Sequence, residues 1–144
     1  MNRDLKATKS IEINASAPSV WDALVNPEKI KIYLFGTETI TDWKVGNPII
    51  FQGEYNGQTY KDKGLVLKNE SNEELSYAYW SGFSGLEDKP ENYSIVTYRI
   101  QSQSANQVKF TWTQAGFSSA EGQQHSQNGL GAMLEQIKKV AEEN

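Results

Sequence analysis

The aromatic side chains are the residues of this chain best suited to recognising a molecule: four tryptophans, seven tyrosines and five phenylalanines make up 11% of its 144 residues. Phe51, Tyr55, Tyr77, Tyr79, Tyr98, Phe110 and Trp112 fall at alternating positions of strand-like segments, which places them on one side of a sheet. Rings on that side can line a cavity, where phenol groups orient a ligand and ring faces supply apolar contact, or they can fill a solid core. The residues alone leave both readings open. Buried tyrosine hydroxyls need partners, so Tyr77, Tyr79 and Tyr98 predict some polar space near them.

Catalytic chemistry has less to build on. His125 is the only histidine, and its one carboxylate at helical spacing is Glu121. No HExxH spacing occurs, so His125 reads as an exposed helix residue and no metal site is assigned. The run Ser81-Gly82-Phe83-Ser84-Gly85 lacks the GxSxG pattern of a serine nucleophile, and reads as a loop that continues through Pro90 and can close a cavity mouth. Neither GxGxxG nor GxxxxGK is present to cradle phosphate, and the absence of cysteine removes thiolate nucleophiles, disulfides and thiolate metal sites. Glu54 and Asp62 remain as carboxylates that an acid–base mechanism would have to use. No catalytic residue, metal ligand or cofactor is therefore assigned.

Charge and length narrow the classes further. Lys and Arg number 14 against 18 Asp and Glu, a formal net charge of -4, so no broad basic field exists to collect nucleic acid or anionic lipid. No run of about 18 apolar residues occurs, and the opening Met1-Asn2-Arg3-Asp4-Leu5-Lys6 lacks an apolar signal core, so the expectation is a cytoplasmic protein without membrane insertion. Residues 1–144 read as one domain, long enough for a single core.

The elements that must hold the aromatic face follow from periodicity. Ile11 and Ile13 alternate as in a strand; Ser16 and Pro18 then open a short helix whose stripe is Val20, Trp21, Leu24 and Val25, and Asn26-Pro27 stops it. Trp21 reads as an anchor of that helix beneath the sheet edge. A second short turn is expected over Glu28 to Tyr33. From Thr37 to about Phe117 strands alternate with turns at hairpin spacing, and Asn56-Gly57 is the strongest hairpin signal. The period then changes: Leu130, Met133, Leu134, Ile137, Val140 and Ala141 recur at three- and four-residue spacing, so Ser119 to about Glu142 reads as one amphipathic helix with Ser119 as its cap. Gly122, Gly129 and Gly131 weaken that helix, and are explained by ligand room, by close packing on the sheet, or by a later helix start. An apolar sheet face and an apolar helix stripe bury each other in an α+β two-layer domain.

Together, Ala17-Pro18-Ser19-Val20-Trp21-Asp22-Ala23-Leu24, Trp43-Lys44-Val45-Gly46, Gly64-Leu65-Val66-Leu67, Leu75 to Trp80, Val96 to Ile100 and Leu134 to Lys138 follow one another in an order that resembles the START-like (SRPBCC) superfamily. The bacterial branch similar to the activator of heat-shock protein 90 ATPase matches best, over about Lys9 to Glu142. One departure is Gly129-Leu130, where relatives commonly carry Gly-Trp. The resemblance implies a helix-grip fold: a curved antiparallel sheet wrapped around a long C-terminal helix, with two short helices after the first strand. It implies, first, non-catalytic binding of a small hydrophobic or amphipathic molecule between sheet and helix, with Phe51, Tyr55, Tyr77, Tyr79, Tyr98, Phe110, Trp112, Leu130, Met133 and Leu134 as the ligand-binding residues. It implies, second, a module that meets a chaperone or another protein, with a link to stress response. A cyclase or hydratase working through cavity tyrosines and carboxylates is the third class.

Overall fold

A computed structural model describes residues 1–143. Strand β1 (Asn2–Ile13) leads to helix α1 (Ala17–Val25), whose entry is fixed by Ser16: its hydroxyl accepts the Ser19 amide at 3.3 Å, one of the donors a helix start leaves free. Pro18 sits in that first turn, where its missing N–H is harmless. Asn26, extended because proline follows, closes α1 through its own N–H to Asp22 and opens helix α2 (Pro27–Tyr33) by accepting the Glu28 amide at 3.0 Å. One residue thus ends one helix and starts the next.

Among the described residues, β1 and six further strands form one antiparallel sheet: β2 (Glu38–Ile40), β3 (Pro48–Tyr55), β4 (Gln58–Glu70), β5 (Glu74–Trp80), β6 (Ser94–Ser104) and β7 (Gln107–Phe117). Their order is β1-β7-β6-β5-β4-β3-β2, so α1 and α2 carry the chain from one edge of the sheet to the other. Asn56 and Gly57 both have positive φ, 51° and 78°, as the tight turn between β3 and β4 requires. The long helix α3 (Ala120–Glu142) starts at Ser119, whose hydroxyl accepts the Gly122 amide at 3.1 Å. This is the α+β helix-grip arrangement.

The helix does not cover the sheet evenly. It packs on β1, β7, α1 and α2, burying Leu130, Leu134, Ile137, Val140 and Ala141. Its side chains also seal the outer edge of β1: Gln127 both accepts the Thr8 amide at 2.9 Å and donates to the Thr8 carbonyl at 2.8 Å, while Gln123 donates to the Lys6 carbonyl at 2.8 Å. Paired in this way, the edge strand is covered at Lys6 and Thr8, which blunts its pairing with another chain there.

The three glycines of α3 lie inside it, which removes the late-start explanation. A side chain at Gly129 would meet nothing within 4 Å, and one at Gly131 would meet only the end of Lys9 at 3.4 Å. Neither glycine is pressed against the sheet, and neither lines the cavity described below. The structure supplies no packing reason for them.

Candidate ligand-binding site

Beyond the reach of α3, the middle of the sheet faces a cavity of about 490 Å³. Its floor is built by β3, β5, β6 and β7 through Phe51, Tyr77, Tyr79, Val96 and Trp112, with Met133 of α3 as the contact from above. The turn after α2 adds Leu34, Phe35 and Thr37, and the rim carries Tyr55, Tyr60 and Phe83. Of the ten residues expected to bind a ligand, Phe51, Tyr55, Tyr77, Tyr79, Trp112 and Met133 come together in this wall. The other four do not line it: Tyr98, Phe110, Leu130 and Leu134 are buried in the core. Tyr98 packs on Trp112 at 4.8 Å between ring centroids and on Phe110 at 5.9 Å, so it supports the wall rather than forming it.

The buried tyrosine hydroxyls have protein partners. Tyr77 and Tyr98 share a hydrogen bond of 2.6 Å, while Tyr77 and Tyr79 also border the cavity. Tyr33 donates to the Ala23 carbonyl at 2.9 Å. Burial pushes the Tyr77 and Tyr98 phenols well above the ordinary tyrosine range. Tyr79 is raised too, first by burial and then by the carboxylate of Asp62, to which it donates at 2.6 Å. All three are neutral hydroxyls at physiological pH.

Asp62 is the charged group the floor encloses. It is only 7% exposed, and its second oxygen accepts the Gly82 amide at 3.0 Å, so β4 holds both β5 and the loop that follows it. That loop brings Ser81 and Phe83 to the rim. The opposite polar feature is the indole N–H of Trp112: among the described residues it has no hydrogen-bond partner, although Trp112 is 7% exposed. A buried donor left unpaired costs about 1–3 kcal/mol.

The rim has its own construction. Thr37 donates its hydroxyl to the Leu34 carbonyl at 2.7 Å, and so accepts from Tyr60 at 2.5 Å. Tyr60 reaches that point by lying over Gly53, where a side chain's first carbon would come within 2.6 Å of the phenol oxygen. The pinned turn is a helix-end motif: the Gly36 amide bonds back to Lys31 at 2.8 Å, with Phe35 between them at φ +54°. Glycine is the usual occupant of that left-handed position. Here it is a phenylalanine that is 92% exposed beside an apolar cavity, with Phe83 and Tyr55 also exposed at 61% and 67%. Sequence reasoning passed over Phe35, because no periodic strand or helix contains it. An aromatic residue immediately before Gly36, just beyond a helix, was the available signal.

His125 and Glu121 are exposed on α3 and neither lines the cavity. Among the described residues, no group of three or more His, Cys, Asp or Glu is placed to hold a metal, and no helix is long and apolar enough to cross a membrane.

A model of one protein family, activator of Hsp90 ATPase homolog 1-like protein, matches residues 14–142. A protein of Cytophaga hutchinsonii known from its solution structure is 39% identical; the alignment covers 99% of this chain and 97% of that one, with a TM-score of 0.83. An HSP90 activator from Plasmodium falciparum is 15% identical over 94% of both chains at a TM-score of 0.74. The Aha1 dimer from Colwellia psychrerythraea is 16% identical, over 95% of this chain and 96% of that one, at 0.73. No curated protein matches the chain.

Proposed function

Since the chain belongs to the activator of Hsp90 ATPase homolog 1-like family, we propose that it is a non-catalytic binding protein of this family that holds a small hydrophobic or amphipathic molecule between sheet and C-terminal helix. The observation that carries this reading is the cavity of about 490 Å³, within the range of small-molecule sites and walled largely by aromatic and aliphatic groups. Phe51, Tyr77, Tyr79, Trp112 and Met133 would supply the apolar contact, and Tyr55, Phe35 and Phe83 the entrance. Absence of catalysis fits the state of the polar groups. The raised phenols stay protonated, so no phenolate is at hand to act as a base, and Asp62 is already engaged by two donors.

Titration with the neutral fluorophore N-phenyl-1-naphthylamine tests the reading. Saturable one-to-one enhancement is expected, and Met133→Trp, which fills the cavity from the helix side, abolishes it while the protein still unfolds cooperatively in urea. Binding that is absent, or that survives Met133→Trp unchanged, would sink the proposal.

A second reading, contact with a chaperone, draws on the family's description and on the fold shared with the Plasmodium falciparum HSP90 activator. Under it the exposed Phe35, Tyr55 and Phe83 would be partner contacts. Stimulation of a chaperone ATPase by this chain, lost in Phe35→Ser, would support it.

A further inference from the structure

The cavity is apolar over most of its wall, yet the charges in that wall are of one sign. Asp62 and Glu54 line it, and among the described residues no Lys, Arg or His does. Glu54 is exposed and also borders a neighbouring surface depression that contains Lys31 and Lys61, so cations stand near it. Asp62 has none of that relief. It is buried, it forms no ion pair among the described residues, and its partners are one hydroxyl and one amide. Its carboxylate is stabilised where it stands, but its charge is not cancelled. A second anion brought into the same apolar space would be repelled with little water to screen it, while a cation would be attracted for the same reason.

Trp112 adds ring surface to the wall rather than a donor, since its indole N–H is enclosed and has no partner among the described residues. The wall therefore describes a guest with a basic group and an apolar body.

We propose that the cavity selects a lipophilic amine, with the ammonium group directed to Asp62, and that it discriminates against fatty and aryl carboxylates of the same size. This inference rests on the cavity reading above, and adds the chemical class of the guest to it. Asp62 is then a specificity residue and Glu54 a weaker contributor at the mouth.

The test uses the full chain at pH 7 and three probes of matched shape: 5-phenylpentylamine, 5-phenylpentanol and 6-phenylhexanoate, each followed by tryptophan fluorescence and by calorimetry. The expected order is amine, then alcohol, then carboxylate, with at least tenfold between the first and the last. Asp62→Asn keeps acceptor capacity for Tyr79 and should bring the amine-to-alcohol affinity ratio close to one. Should Asp62→Asn fail to fold, the amine-to-alcohol ratio in the unaltered protein at 20 mM and 500 mM salt replaces it; salt should leave most of that ratio intact if the charge is buried. Equal binding of amine and carboxylate overturns the charge assignment, although the cavity reading survives. If no probe binds, or all bind equally well to Met133→Trp, the cavity reading itself fails.

Discussion

One sheet presents two interiors. Over β1 and β7, helix α3 lies close: Ile13, Val108, Phe110, Leu134 and Ile137 are fully buried, and the glutamines of the helix satisfy the strand edge. Over β3 to β5 the helix offers only Met133, the floor of aromatic residues stays open to a cavity, and the rim exposes three large rings. The strands supply the same kind of side chain to both. The difference lies in what covers them, and it teaches that an aromatic stripe becomes core or site according to the reach of a neighbouring helix.

The strongest way to break that contrast is to truncate two adjacent residues of α3. Leu134→Ala should cost about 2–5 kcal/mol, since it empties a closed core, whereas Met133→Ala should cost less than about 1 kcal/mol, because its side chain already borders open space. Urea unfolding of both variants decides it; equal losses would mean that the two halves of the sheet are packed alike.

A smaller effect with opposite signs for stability and binding is expected at the rim. Phe35→Gly relieves a left-handed phenylalanine and gives up almost no buried area, so the fold should gain about 1 kcal/mol. The same change removes an entrance ring and should weaken capture of N-phenyl-1-naphthylamine several-fold. A variant that loses stability would show that Phe35 packs on the protein rather than facing what enters.

The smallest expected change lies on the solvent side of α3. Gly129→Ala should stabilise the helix by about 0.5–1 kcal/mol, because the added carbon meets no neighbour and the backbone loses freedom in the unfolded chain. Ligand affinity should stay constant. Altered affinity would revive a role for that glycine in admitting the guest.

Much of the fold was legible because it rests on local rules. Ser16, Pro18 and Asn26-Pro27 place the first helices by capping and by proline geometry, Asn56-Gly57 places a hairpin, and the stripe from Leu130 to Ala141 places α3. Five of the ten expected site residues reach the cavity wall from strands, since alternation along a strand fixes which face a side chain takes, and Met133 joins them from α3. Alternation says nothing of what lies opposite. Phe110 and Trp112 are two residues apart on one strand with the same outlook; both belong to the buried core, yet only Trp112 also lines the cavity.

The residues added by the structure share that explanation. Thr37, Tyr60 and Phe35 meet because a hydroxyl from β4 crosses Gly53 to hold a turn from the far side of α2, a pairing of segments 23 residues apart that no local pattern encodes. The amino-acid sequence by itself determined the elements, their faces and the family they build, because capping, periodicity and turn chemistry act over a few residues. Only the tertiary structure decided where α3 ends its cover, which rings stay open, and that Asp62 stands in the wall with a charge left for something else to meet.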